Sequence, residues 1–212
     1  MTEREKMVSG ALYRADDPEL LQGRLEARRL TRLFNATDET ELDKRRELLS
    51  QLLGSMGKGT YIEPTFRCDY GWNIHVGDAF YANFDCIILD VAPVHIGSHV
   101  FFAPRVGVYT AGHPIDAEVR NEELEFGKPI TIGDNVWVGA NVTINPGVTI
   151  GSDVVIGSGS VVTKDIPSHV VAAGNPCRVI RPITDQDRDK WMKEREAYFA
   201  ERHAASPFWN TL

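Results

Sequence analysis

Residues 132–167 read IGDNVW VGANVT INPGVT IGSDVV IGSGSV VTKDIP when divided into sixes. Ile132, Val138, Ile144, Ile150, Ile156 and Val162 hold one apolar phase. Val136, Val142, Val148 and Val154 hold a second phase four residues later, closed by Ser160. Self-similarity at a fixed period marks a repeat architecture and takes precedence over any strand-by-strand reading. A six-residue unit is one short strand and a corner, too small to bury its own side chain. Stacking solves this: three units complete one turn of a triangular prism, each inward residue lies above the one three units earlier, and each backbone pairs with the turns above and below. Chance alternation does not keep one phase through successive units without a slip. The pattern therefore predicts a mainly β chain folded as a parallel β-helix, and not a sandwich.

The same phase extends backward through Ile96, Phe102 and Val108, and a looser copy in Ile62, Cys68 and Ile74 opens the repeat region. Gly139, Asn141, Asn145 and Gly157 suit tight corners. The coil is expected to occupy residues 58–181. Within it, residues 113–128, HPIDAEVRNEELEFGK, are polar and aperiodic. Val108 and Ile132 are separated by a whole number of hexads, so the coil can resume in phase after an extruded loop, and long ordered loops in compact domains tend to carry function. Residues 1–57 form an amino-terminal helical segment on this reading. Asp17 suits an N-cap with Pro18 in the first helical position, and a helix is expected over about 18–34 with an apolar stripe of Leu21, Leu25 and Leu33. Leu42, Leu48, Leu49, Leu52 and Leu53 predict a second helix that stops at Gly54. Residues 182–212 read as a charged helical tail.

A content of 42% hydrophobic and 25% charged residues is that of an ordinary globular chain. A net charge of -7 argues against a general nucleic-acid surface, which needs clustered Lys and Arg. The opening MTEREKMVSG offers no apolar run for export or membrane insertion, so a cytoplasmic location is expected. Cys68, Cys86 and Cys177 are odd in number and widely spaced, which suits reduced thiols better than disulfides or a zinc site.

Several stretches are more specific than the hexads: GALYRADD at 10–17, YIEPTFRCDYGWNIHVGD at 61–78, FYANFDC at 80–86, YTAGHPID at 109–116, INPGVTIG at 144–151, VVTKDIP at 161–167 and GNPCRVI at 174–180. In these, and up to about Arg181, the chain resembles the hexapeptide-repeat acyltransferases, and within them the maltose and galactoside O-acetyltransferases. The resemblance implies a left-handed coil, acetyl-coenzyme A as co-substrate, a sugar hydroxyl as acceptor, no metal requirement and a homotrimer, for which a C3 ring is a closed solution.

It also implies roles for particular residues. His113 corresponds to the catalytic base, suited chemically because a neutral imidazole can take the proton of a hydroxyl as it attacks a thioester. Asn83 corresponds to the oxyanion donor. Asp69, Tyr81, Asp90 and Glu125 correspond to acceptor-site positions, joined by Asp16 or Asp17, between which the resemblance does not choose and of which Asp17 is the better helix cap. Asp69 stands where galactoside enzymes carry serine, as in the maltose enzymes. Ala140 and Ser158 match backbone positions along the pantetheine arm, and Thr163, Lys164, Arg178 and Arg181 are suited to the coenzyme A phosphates. Trp137, read as a corner residue, offers an exposed indole beside the cofactor or at a subunit contact. In the family, His113 of one subunit meets the acceptor pocket of its neighbour.

Three rivals use the same fold. A γ-class carbonic anhydrase would need zinc held by three histidines. His75, His95 and His99 lie in the coil, but His95 and His99 are four apart, which does not match that family's step. An acetyltransferase for serine or an antibiotic hydroxyl is a second alternative, against which the FYANF and LYRADD segments favour the sugar branch. A non-catalytic binding module would leave the His113 loop and the Lys164, Arg178 and Arg181 group without a purpose.

Overall fold

In the computed structural model, which describes residues 1–201, a parallel β-helix of about six turns starts at Ser55–Met56. Its first face stacks Ser55–Met56, Ile74–Val76, Val94–Ile96, Ile130–Ile132 and Thr149–Ile150. The second stacks Tyr61–Ile62, Tyr81–Ala82, Phe101–Phe102, Trp137–Val138, Val155–Ile156 and Val170–Ala173, and the third Phe66–Cys68, Cys86–Leu89, Gly107–Tyr109, Thr143–Ile144 and Val161–Val162. The strand Arg178–Pro182 turns back antiparallel on the second face and ends the coil.

The predicted register holds in the late turns, where Ile132 pairs with Ile150, Val138 with Ile156 and Ile144 with Val162. The early turns are longer. Ile62 pairs with Ala82, Cys68 with Ile88 and Val76 with Ile96, a step of about twenty residues where the hexads give eighteen. Val76, and not Ile74, therefore stacks in the hexad phase, and Ile74 pairs with Val94 as a second inward residue on that strand. The additional residues widen the corner between the third and first faces, at 69–73 and 90–93. Across the loop, Val108 pairs with Ile144 and Ile96 with Ile132, so the coil resumes without a slip.

The inward rows form one continuous core, with Phe80 and Phe102 meeting edge to face at 5.2 Å. Each fully buried Val, Ile or Phe contributes roughly 1.5–3 kcal/mol, which makes the stacked rows the main source of stability. Of the four residues expected at tight corners, only Asn141 has a positive φ, 56°. That conformation falls instead on residues such as Ala79, His99, Asn135 and Asp153. Their N–H groups donate to the coil beneath, Ala79 to the Lys58 carbonyl at 2.7 Å and His99 to that of Asp78 at 2.8 Å, and these bonds offset the cost of a left-handed non-glycine residue. Glycine is required where coils approach closely: a Cβ on Gly77 would lie 2.7 Å from the Gly97 carbonyl carbon. The polar residues of the hexads form a ladder. Lys58 N–H donates to Asp78, Asp78 N–H to Ser98, Ser98 N–H to Asp134, Asp134 N–H to Ser152 and Ser152 N–H to Ser168, all at 2.7–3.1 Å.

Helices α1 (Glu3–Ser9), α2 (Pro18–Asn35) and α3 (Leu42–Leu52) precede the coil. Asp17 caps α2 as expected, accepting from Glu19 and Leu20 N–H. The expected stripe on α2 is on the wrong side: Leu21, Leu25 and Leu33 are 41–49% exposed, while Leu20, Ala27, Leu30 and Phe34 are buried. On α3, Leu49 and Leu52 are buried and Leu42 is exposed. Helix α1 was not anticipated, although Thr2 and Glu5 form the reciprocal capping box that marks a helix start. Two further helices follow among the described residues, α4 (Ala117–Asn121) inside the loop and α5 (Asp185–Glu201) after the coil. The end of the predicted tail, 202–212, lies outside the described residues. Among those described, no helix is long and apolar enough to cross a membrane, and the three cysteines are buried and unpaired.

Candidate active site

The loop leaves the third face at Thr110, whose buried hydroxyl donates to the Leu89 carbonyl at 2.7 Å and accepts from Ala92 N–H at 3.0 Å. From this root Ala111–Gly112 runs antiparallel to Leu124–Gly127, and the amino-terminal strand Tyr13–Arg14 pairs with the far edge of Leu124–Gly127. Gly112 has no room for a side chain, because a Cβ there would lie 2.8 Å from the Phe126 ring. His113 follows directly and so projects from the end of a small three-stranded sheet. Behind it, Arg120 of α4 donates from Nη1 to the carbonyls of Pro114 at 3.0 Å and Ile115 at 2.9 Å, tying down the two residues after the histidine.

His113, Asp16 and Glu125 line one open cavity of about 460 Å³ together with Ala15, Arg24, Arg120 and Glu123. The His113 imidazole is exposed, and among the described residues neither ring nitrogen is committed to a hydrogen bond. Glu125 accepts from the Tyr13 hydroxyl at 2.8 Å. Arg24 is committed to the frame of the site, donating to the Tyr70 hydroxyl at 2.7 Å and the Ala15 carbonyl at 2.6 Å. Arg14 lies 3.3 Å from Asp16 and 3.7 Å from Glu123, both exposed contacts. The cavity thus presents one imidazole among carboxylates, a composition suited to hydrogen-bonding several hydroxyls while a base removes one proton.

Asp69 and Asp90 occupy the widened corner. Asp69 is half-buried, and burial raises its carboxyl against the opposing charge of Arg24. The expectation for Asp90 needs correction, because its side chain is fully buried and cannot touch an acceptor. Its carboxylate accepts from the N–H groups of Asp69 at 3.0 Å, Tyr70 at 2.9 Å and Asn73 at 3.3 Å, folding the corner that carries Asp69. Burial first, and the Asp69 charge after it, push Asp90 up to about 7 against the pull of those donors.

Tyr81, Asn83 and Trp137 line a second open depression, of about 370 Å³, on the second face with Phe101, Phe102 and Ala103. Asn83 Oδ1 accepts from Phe84 N–H at 2.7 Å, which leaves the amide N–H groups as the free end of the side chain. Trp137 is in a strand and not at a corner. It faces outward, 56% exposed, paired with Phe101 and Val155. One chain therefore does not bring His113 together with Asn83. Asp16 and Glu125 share the His113 cavity within one chain, while Tyr81 and Asn83 lie apart from them.

Farther along the coil, Ala140 N–H donates to Ser158 Oγ at 3.1 Å and the Ala140 carbonyl accepts from Gly159. Ser158 N–H meets no acceptor among the described residues. Thr163 and Lys164 are exposed after Val161–Val162, and Arg178 donates to the Cys177 carbonyl. Arg181 is not free: both its terminal nitrogens hold Asp187, at 2.6 and 2.9 Å. The rival zinc site fares poorly on geometry. His75 and His95 stack ring on ring at 4.9 Å, His75 Nδ1 is bonded to Ser55 Oγ, and His99 occupies a corner. Among the described residues no three His, Cys, Asp or Glu side chains converge in a metal-holding arrangement.

Residues 6–57 match the maltose acetyltransferase hexapeptide capping motif, and residues 129–164 match the six-repeat bacterial transferase hexapeptide. A galactoside O-acetyltransferase of Escherichia coli is 45% identical over 194 residues, spanning 92% of this chain and 96% of the relative. The chain belongs to the maltose and galactoside O-acetyltransferase family. Among solved structures, a maltose O-acetyltransferase from Clostridium difficile is 58% identical, with a TM-score of 0.86 over 87% of this chain and 98% of that one. A galactoside acetyltransferase in complex with coenzyme A is 45% identical, with a TM-score of 0.86 over 89% and 94%. The protein is accordingly an acetyltransferase. Arg24, Arg120 and Glu123 of its cavity, and Tyr13 behind Glu125, were not singled out from the sequence. Tyr13 alone carried a signal, lying in GALYRADD beside Asp16.

Proposed function

We propose that the protein transfers the acetyl group of acetyl-coenzyme A to a hydroxyl of a glucosyl sugar such as maltose or glucose, by direct attack and without an acyl-enzyme. The observation that carries this reading is the cavity in which an uncommitted His113 faces Asp16 and Glu125. His113 removes the hydroxyl proton, and the oxygen attacks the thioester carbonyl. An Asn83 amide N–H stabilises the tetrahedral oxyanion, and collapse expels the coenzyme A thiolate, to which the imidazolium returns the proton. Asp16, Asp69, Tyr81 and Glu125 hold the sugar, and Asp90 acts by shaping the corner under Asp69.

Because His113 and Asn83 line separate cavities, the complete site forms between neighbouring subunits of a homotrimer, one giving His113, Asp16 and Glu125 and the next giving Tyr81 and Asn83. Coenzyme A lies along the second face past Trp137, with its amide groups on Ala140 and Ser158, where the unpartnered Ser158 N–H suits a pantetheine carbonyl. Thr163, Lys164 and Arg178 meet its phosphates, and Arg181 joins them on release from Asp187. The three buried, unpaired thiols support a cytoplasmic location.

The test is thiol release from acetyl-coenzyme A with glucose, maltose, galactosides, chloramphenicol and serine offered in turn. Release that depends on glucosyl sugars is expected; release only with chloramphenicol or serine would replace the sugar reading with another acceptor class.

A further inference from the structure

Tyr13 contributes nothing to the cavity surface, yet it is the residue on which the cavity's central carboxylate rests. Its ring is 1% exposed and belongs to a small apolar cluster with Met7, Leu20, Tyr70 and Val91, beneath the three-stranded sheet that bears His113. Its backbone pairs with Glu125 across the ladder, and its hydroxyl donates to Glu125 Oε2 at 2.8 Å. A buried phenol with a single charged acceptor is a strong, fixed donor, since hydrogen bonds to ionised groups are shorter and stronger than neutral ones. Burial, with the Glu125 bond behind it, holds the phenol well above its ordinary pKa of 10, so the donor stays protonated across the working pH range. The other Glu125 oxygen has no protein donor among the described residues, and Glu125 is one of the groups facing the cavity.

We infer that Tyr13 is a positioning residue for acetyl transfer: it occupies one Glu125 oxygen and turns the other toward His113, where it accepts the hydrogen bond of an acceptor hydroxyl. The inference rests on the sugar-hydroxyl reading above and gives the amino-terminal segment a part in the activity. Helix α1 and the strand Tyr13–Arg14 seat on the widened corner of the coil, where Met7 and Tyr13 pack with Tyr70 and Val91 and Arg4 lies 4.3 Å over the Trp72 ring. They complete the sheet that aims the site, and Arg14 N–H is itself held by Glu3 of α1 at 2.6 Å. A rotamer-free Glu125 would have to be ordered by each acceptor molecule as it binds, a cost the Tyr13 bond removes in advance.

The test compares Tyr13→Phe with wild type, because phenylalanine keeps the buried ring and deletes only the hydroxyl. Wild type must first show acceptor-dependent release with a glucosyl sugar; its failure would count against the proposed function and not reach Tyr13. Given that activity, Tyr13→Phe is expected to stay folded at the assay temperature with a modestly lowered thermal midpoint and to keep its oligomeric state and its KM for acetyl-coenzyme A, while kcat/KM for the sugar falls about tenfold, the size of a lost hydrogen bond to a charged group. Glu125→Gln, which keeps a side chain of the same shape without the charge, should lose a similar factor, and adding Tyr13→Phe to it should cost little more. Unchanged sugar kinetics in Tyr13→Phe would overturn the inference. So would equal losses toward sugar and acetyl-coenzyme A, or independent losses in the double variant, because either pattern would make Tyr13 a packing residue only.

Discussion

Asp187, in the first turn of α5, grips both terminal nitrogens of Arg181 on the last strand of the coil. The pair joins the carboxyl-terminal helix to a residue that the family resemblance puts among the coenzyme A phosphate contacts. Both side chains are solvent-accessible, so the pair adds little to stability, but it competes with an anionic ligand for one guanidinium. Asp187→Asn is expected to leave the thermal midpoint unchanged and to lower KM for acetyl-coenzyme A by about threefold at low salt, with the gain shrinking as salt is added. A KM that does not move would mean that Arg181 serves α5 alone.

His113 is exposed, and among the described residues it has no hydrogen-bond partner, so removing its ring should not disturb the fold. His113→Ala is expected to unfold at the wild-type temperature and bind coenzyme A normally while turnover falls about 10²- to 10⁴-fold, the usual range for a general base. Steady-state kinetics beside calorimetry separate the two effects; wild-type turnover in the variant would remove His113 from the chemistry.

Asp90 offers three accepting contacts to backbone N–H groups in the widened corner. In Asp90→Asn one oxygen can still serve Asp69 and Tyr70, but the new amide donor would face Asn73 N–H. One unsatisfied buried donor costs about 1–3 kcal/mol, and Asp90→Ala, which orphans all three, should cost more. Urea denaturation of both variants gives the order. Equal and negligible losses would show that the corner is held by its own packing.

Burial first, and the neighbouring His95 second, keep the His75 imidazole below its ordinary value of 6.5. The unfolded chain therefore takes up this proton at a higher pH than the folded one, so stability rises with pH through the interval and is lost as pH falls below about 6.5. His75→Gln should lose less stability than wild type between pH 7 and pH 5.5. Identical pH slopes for the two proteins would place the acid sensitivity elsewhere.

Much of this molecule is legible in its sequence. The hexads from Ile132 to Val162 determined the coil, its faces and its register, because a repeat buries its apolar residues only against copies of itself and the period leaves one way to stack them. The whole-hexad gap between Val108 and Ile132 determined that the His113 loop could leave without breaking that stack. Local rules also sufficed for Asp17, whose cap depends on residues two and three positions away.

What the sequence could not decide was every feature set by residues distant along the chain. Which side of α2 is buried depends on the coil it packs against, and Leu21 and Leu20 are equally apolar. The roles of Asp90 and Asp69 diverged only when the longer early turns folded one inward and left the other half-buried at the same corner. Tyr13 and Glu125 are 112 residues apart and became partners because a strand from the amino terminus completes a sheet begun by the loop. Periodicity specifies a stack through contacts repeated at one spacing; a site gathered from single, non-repeating contacts has no period and exists only in the folded chain.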